Sequence, residues 1–147
     1  AIMAKYLHPL ASAENMKWAT RIYLKLMRLA PDLLTCNQCI KFEAEGYFSP
    51  ISLELMKSSQ GCHHAQLQHS WSEADGETIC DPRFSILLYP DWEMAEAVSH
   101  SDMFGLSDAY PIKGGPVDFE VYLSINKALE SWLDNLLSNE QLHRVAG

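Results

Sequence analysis

The sequence predicts an α+β fold, a two-layer sandwich in which an antiparallel β-meander of four to six strands is flanked by an N-terminal and a C-terminal helix. Three observations predict it. Two segments with helical apolar spacing lie towards the ends of the chain, the apolar period changes to two between them, and the connections within that middle part are short and rich in turn residues. Short connections make neighbouring strands antiparallel, and an antiparallel sheet with one wet face needs the helices to cover the other face.

The first helix is predicted over residues 12–30, where Ser12 can cap the N-terminus and Pro31 ends the helix. The second is predicted over residues 118–138, with Asp118 as its cap. Each has one apolar stripe with a spacing of three or four residues, so both should pack on the same face of the sheet. The stripes are Met16, Ala19, Ile22, Tyr23, Leu26 and Leu29, then Tyr122, Ile125, Leu129, Trp132, Leu133 and Leu136.

Between the helices, four runs alternate apolar with polar residues, as half-buried strands do. A further segment, 93–99, can pair back on 83–89, and residues 103–110 can add a last strand. The apolar positions of the four runs are Ile40, Phe42 and Ala44; Ile51, Leu53 and Leu55; Ala65, Leu67 and Trp71; and Phe84, Ile86 and Leu88. No linker, internal repeat or low-complexity tract interrupts the chain, so a single α+β domain over residues 1–147 is expected.

Composition excludes several classes of protein. The net charge is −8, and the basic residues are scattered or lie on one helix face, which argues against non-specific nucleic-acid binding. No apolar run approaches the ~20 residues of a membrane-spanning helix. The N-terminus lacks the features of a secretory signal. We therefore expect a soluble cytoplasmic protein, a monomer or a homodimer, with four unbridged cysteines.

The cysteines raise the question of a metal. Cys36 and Cys39 have the spacing of half a zinc knuckle, and Cys62 or His64 with Cys80 could supply the remaining ligands. A zinc-binding sequence usually repeats the knuckle, and this one does not. Ordinary reduced thiols are therefore the favoured interpretation, with no cofactor expected and zinc as the alternative.

The same region contains the candidates for nucleophilic catalysis, a Cys62, His63, His64 and Cys80 set that would suit a small metal- or cysteine-dependent hydrolase. Adjacent residues on a strand point to opposite faces, so neighbours in sequence are weak evidence for a catalytic pair. His69 falls in register with Leu67 and is predicted to be a partly buried histidine with its hydrogen bonds satisfied.

Four aromatic residues, Tyr47, Phe48, Tyr89 and Trp92, lie at predicted turns, where a large apolar side chain is less easily buried. Clustered at one end of the sheet, they would form a patch for binding another protein. The alternative is that they fold over the edge of the core.

One order of features runs through residues 44–139. It consists of Glu45-Gly46-Tyr47-Phe48 entering the strand Ile51 to Leu55, then His69-Ser70-Trp71, Ala74-Asp75-Gly76 followed by Cys80-Asp81-Pro82, the strand Phe84 to Tyr89, and a closing helix with Asn126, Trp132 and Leu133. This order resembles an uncharacterised family of small bacterial and mobile-element proteins from phages or plasmids, a domain of unknown function. The resemblance implies the fold and a bacterial or mobile-element origin, and it supplies no catalytic residue.

No motif with catalytic geometry is present, which favours a non-enzymatic protein-binding or regulatory module whose partner is another protein. The hydrolase centred on the Cys62 to Cys80 set is the alternative, so an enzymatic role stays open.

Overall fold

The structure is a computed structural model, and it describes residues 8–145. Two long helices, α1 (Ala13–Leu29) and α2 (Phe119–Ser138), accompany one sheet of seven strands within this range. The strands are β1 (Ile40–Glu43), β2 (Ile51–Ser59), β3 (Cys62–Ser72), β4 (Thr78–Tyr89), β5 (Met94–Asp102), β6 (Gly105–Asp108) and β7 (His143–Val145), and short 3₁₀ turns cover Pro9–Ala11 and Pro90–Trp92.

The predicted α+β class is confirmed, and both helices lie within one residue of their predicted bounds. The Ser12 hydroxyl caps α1 by accepting from the Asn15 amide at 3.3 Å, and Asp118 Oδ1 caps α2 by accepting from the Val121 amide at 3.3 Å. No helix among the described residues is long and apolar enough to span a bilayer.

The strand count exceeds the predicted four to six. The order across the sheet is β6-β5-β4-β3-β2-β1-β7, and every neighbouring pair is antiparallel. The unpredicted strand is β7, which follows α2 and pairs with β1. Three residues after a helix are too few to show an alternating pattern, and their pairing is decided by the sheet edge that they meet.

Both helices cover the same face of the sheet, as expected. Their stripes and the inward strand residues form one buried cluster that includes Ile22, Leu53, Leu67, Phe84 and Leu129. The helices also contact each other through an ion pair on the outer surface. Glu130 accepts from Arg21 at 2.8 Å and from Lys25 at 2.8 Å, and these hydrogen bonds hold the pKa of the Glu130 carboxyl below its usual value.

The two halves of β5 have different neighbours. Its last four residues pair with β6, whereas residues 94–97 are buried on both faces because the helices and the Pro9–Ala11 turn close around that edge. Asn126 of α2 replaces the missing strand there: its amide nitrogen donates to the Ala97 carbonyl at 2.9 Å, and its amide oxygen accepts from the Ala97 N–H at 2.6 Å. The edge of β5 is therefore capped by a side chain instead of a strand.

Candidate functional site

The face of the sheet away from the helices carries a groove of about 740 Å³ that crosses the strands from β2 to β6. We call it the open-face groove. Its wall on one side is the segment between β6 and α2, in which Gly114 has a positive φ of 74° and lets the chain turn beside the sheet. The groove is lined by Lys57, Ser59, Cys62, His64, Ser85, Leu87, Val98, Ser99, Asp108, Tyr110, Pro111, Lys113 and Gly114.

Two β-bulges decide which side chains reach this groove. Leu55 faces the core opposite Ala65, and strict alternation would also turn Lys57 inward, but the register shifts between them and Lys57 pairs with His64 on the open face. A second shift lies between β4 and β5, so that Ala97 faces the core while Ser99 faces the groove. A bulge adds one residue to a strand and inverts the alternation beyond it. Lys57 and Ser99 therefore reach the groove because of these shifts in register.

The charges in the groove differ from those of the chain as a whole. Lys57 and Lys113 line it, and neither forms an ion pair with a carboxylate among the described residues. The carboxylate that lines the groove, Asp108, accepts a hydrogen bond from the Tyr110 amide at 2.8 Å and so holds its own loop. His64 and hydroxyl groups complete the polar lining. Over residues 8–145, the lining therefore carries two lysines against one carboxylate, a small positive excess on a protein of net charge −8.

A buried carboxyl group lies beside the groove. Glu96 is 0% exposed, and its Oε2 accepts from the Tyr89 hydroxyl at 2.8 Å and lies 3.6 Å from His8 Nε2. Burial raises the pKa of Glu96, while His8 and the Tyr89 hydroxyl act in the opposite direction. Glu96 Oε1 and the Tyr122 hydroxyl oxygen have no hydrogen-bond partner within the described part of the chain. The hydrogen bond from the Tyr89 hydroxyl to the Glu96 carboxylate therefore holds the Tyr89 ring in place.

The same carboxyl affects the groove itself. Burial, and secondly the nearby Glu96, raise the pKa of Tyr110 to about 12, so the groove-lining phenol is a neutral hydrogen-bond donor and acceptor near pH 7. Burial, and secondly Glu96, also raise the pKa of the Cys62 thiol. The groove therefore presents a thiol and not a thiolate, which is unfavourable for nucleophilic attack.

Trp92 and Tyr89 adjoin the groove. With Gln60, Gly61, Cys62 and Asp91 they line a depression of about 300 Å³, and Cys62 lines both this depression and the groove. Trp92 is 54% exposed and stacks on Tyr89 with ring centroids 6.1 Å apart. Glu93, which follows the Pro90–Trp92 turn, has left-handed backbone angles of φ 51° and ψ 48°. The predicted pair Tyr89 and Trp92 thus lies together at the surface.

Tyr47 and Phe48 lie at the other end of the sheet. Their neighbours on β3 are His69 and Trp71, whereas Tyr89 lies beyond the pairing of Leu88 with His63. Eight residues of β3 separate these places, roughly 26 Å at 3.3 Å per residue. The four aromatic residues therefore do not form the single patch that the sequence analysis considered, and a binding role for Tyr47 and Phe48 stays a prediction for a separate surface.

His69 is the buried histidine that the alternation predicted. It is 6% exposed, its Nε2 is 2.8 Å from the Ser49 hydroxyl, and its Nδ1 is 3.3 Å from the Asp81 carbonyl oxygen. Both ring nitrogens have partners, as in a structural histidine.

The cysteine and histidine set of the hydrolase alternative is not brought together. Cys62 and His64 both face the groove, but His63 lies between them on the strand and contacts the Ser58 hydroxyl at 2.8 Å. Cys80 pairs with Ser70 near the far end of β3, and its sulfur accepts from Arg83 at 2.9 Å. The geometry therefore gives no four-residue site.

The proposed zinc ligands are also dispersed. Cys36 and Cys39 precede β1, which lies towards the opposite edge of the sheet from β5. All four cysteines are free. Within residues 8–145, no three His, Cys, Asp or Glu side chains are grouped closely enough to hold a metal ion. Zinc at Cys36, Cys39, Cys62, His64 and Cys80 together would need a different arrangement of these strands.

A family model described as "Protein of unknown function (DUF1249)" matches residues 25–142. The chain belongs to this family. The match confirms the resemblance to a domain of unknown function, while the bacterial or mobile-element origin stays a prediction. No curated protein and no solved structure matches the chain. Because the family description assigns no chemistry, the function has to be inferred from the groove and its surroundings.

Three residues of this region escaped the sequence analysis as site residues: Lys57, Lys113 and the buried Glu96. Lys57 and Lys113 stand 56 positions apart in the chain, and no motif connects them. Glu96 lies shortly after the Pro90–Trp92 turn, and no local pattern marks its side chain as buried. The shifted pairing register turns Lys57 towards the groove, and the helices that close around β5 bury Glu96 beside it. Neither the register nor the helix packing can be read from the local sequence.

Proposed function

We propose that this protein is a non-enzymatic protein-binding module, and that its partner contacts Trp92 and the adjoining open-face groove. The observation that carries the proposal is Trp92 itself, a tryptophan 54% exposed on a short turn next to a groove. Tryptophan is among the residue types that most often supply the binding energy of an interface.

The support beneath Trp92 strengthens the proposal. Its ring stacks on Tyr89, and the Tyr89 hydroxyl is held by the buried Glu96 at 2.8 Å. A surface aromatic that is already oriented loses little conformational entropy when a partner binds. The pair therefore has the character of a preformed contact and not of a mobile loop side chain.

A hydrolase centred on Cys62 has less support. The raised pKa of the Cys62 thiol disfavours the nucleophilic thiolate, and Cys80 lies near the opposite end of β3. These features favour binding over covalent catalysis at the groove.

The test is the substitution Trp92→Ala, with Phe104→Ala as its matched control. Phe104 is an almost fully exposed aromatic on the β5–β6 connection and does not line the groove. Full-length wild-type and variant proteins are immobilised, and the proteins that they retain from a lysate of the source cells are compared. Thermal unfolding of each variant is measured in parallel.

We expect Trp92→Ala to lose specific partners while its melting temperature falls by only a few degrees, because half of the ring is already in water. Phe104→Ala should retain the partners. Equal capture by all three proteins would contradict the proposal, and so would a destabilisation of ~3 kcal/mol or more, which would make Trp92 a packing residue.

A further inference from the structure

We infer that the open-face groove takes an extended acidic segment of the partner protein, with carboxylates of that segment bound by Lys57 and Lys113. The inference rests on the proposed function, and it adds the chemistry of the partner.

The lysines of the groove lack counter-charges within residues 8–145. The lysines of the groove can be compared with Lys25, whose ammonium is 2.8 Å from Glu130 and 2.7 Å from Asp134. Lys25 already has its counter-charges, whereas Lys57 and Lys113 have none among the described residues. Complementary charge guides encounter and sets the register of binding. Two lysines without counter-charges in the described part of the chain, against the single groove carboxylate Asp108, therefore favour acidic residues in the ligand at the positions that reach Lys57 and Lys113.

The shape of the groove fits an extended peptide. The groove crosses five strands, from β2 to β6, and neighbouring strands are about 4.8 Å apart, so its length is roughly 19 Å. An extended chain advances ~3.3 Å per residue, so about six residues fit along it. A segment of this length can reach from Lys57 on β2 to the far wall formed by residues 110–114.

The lining between the two lysines combines apolar surface with hydrogen-bonding groups. Leu87, Val98 and Pro111 supply apolar surface, and His64, Ser85, Ser99 and the neutral Tyr110 supply hydrogen-bonding groups for a peptide backbone. The groove meets the Trp92 depression at Cys62. An acidic segment in the groove can therefore continue to an apolar residue that packs on Trp92.

The test is selection of peptides from a phage-displayed library of random octamers on the immobilised full-length protein. Three versions are compared: wild type, the double variant K57E/K113E, and the double variant K17E/K41E. Lys17 and Lys41 are exposed and lie outside the groove, so the control carries the same change in net charge. Both groove lysines are exposed and form no ion pair within residues 8–145, so we expect the variants to fold, and thermal unfolding checks this.

We expect peptides selected on wild type to be enriched in Asp and Glu and to bind more weakly as the salt concentration rises. Their dissociation constants should increase about tenfold or more on K57E/K113E and change little on K17E/K41E. Selection on K57E/K113E should in turn enrich Lys and Arg.

The outcomes separate this inference from the proposed function. Selected peptides without acidic enrichment, or bound equally by wild type and K57E/K113E, would overturn the acidic segment; if they still need Trp92, the binding module stands. Failure to select any peptide, with capture from lysate still dependent on Trp92, would overturn the linear segment and leave a folded partner. Capture that does not depend on Trp92 would remove the proposed function itself.

Discussion

The two ends of the sheet each carry a pair of aromatic residues in a turn, and the pairs differ in what their polar atoms do. At one end, the Tyr47 hydroxyl accepts a hydrogen bond from Trp132 of α2 at 2.8 Å, and the Tyr47 ring meets His69 edge-on. At the other end, Tyr89 is held by the buried Glu96, and Trp92 stacks on its outer side beside a groove.

An aromatic residue in a turn is therefore not by itself a sign of binding. Tyr47 joins a helix to the sheet, so its contacts belong to the fold. Trp92 stacks on Tyr89 and lies next to a concave surface, as expected of a residue that anchors a partner. Substitutions at the two ends should therefore separate stability from binding.

The largest effect is expected for Tyr47→Ala, which removes the aromatic contact with His69 and leaves the Trp132 N–H without its acceptor. We expect a loss of about 3 kcal/mol in the free energy of unfolding. Tyr47→Phe keeps the ring and should cost about 1 kcal/mol. Denaturant unfolding measures both, and near-wild-type stability of Tyr47→Ala would show that this end is not a structural joint.

The sequence predicts the helices and the core better than it predicts the groove and the support beneath Trp92. Helical stripes such as Ile22, Leu26 and Leu29 repeat over several turns, so both helices and the face that they cover could be predicted. The placement of Lys57 could not be, because the bulge after Leu55 inverts the alternation. Glu96 could not be predicted to be buried either, since its burial depends on helices and a turn that close around β5 from distant parts of the chain.

A pH-dependent effect is expected at the Trp92 end. Because the pKa of Glu96 is raised above its usual 4.5, the folded protein binds more protons than the unfolded chain between 4.5 and the folded pKa. The contribution of Glu96 to stability is therefore full below 4.5 and is lost as the pH rises through the folded pKa. The titratable groups that interact with it are His8, Cys62, Tyr89, Tyr110 and Tyr122.

Glu96→Gln keeps an acceptor for Tyr89 without the charge. Above the folded pKa of Glu96, we expect the variant to be more stable than wild type by roughly 1–3 kcal/mol, with the advantage shrinking as the pH falls towards 4.5. Thermal unfolding over a pH series measures this. Glu130→Gln is the matched control with the opposite sign, because the pKa of Glu130 is lowered by Arg21 and Lys25, so that variant should lose stability above 4.5.

The smallest effect is expected for Phe48→Ala, the counterpart of Trp92→Ala at the other end. Phe48 is 75% exposed and touches His69 and Trp71 edge-on, with ring centroids 5.1 and 4.9 Å apart, so its removal should cost about 1 kcal/mol or less. Peptides selected on the groove should bind Phe48→Ala as they bind wild type, since the two places are roughly 26 Å apart along β3. Weaker binding of those peptides would mean that the two ends act as one surface. Loss of a different set of lysate proteins would instead assign Phe48 a partner of its own.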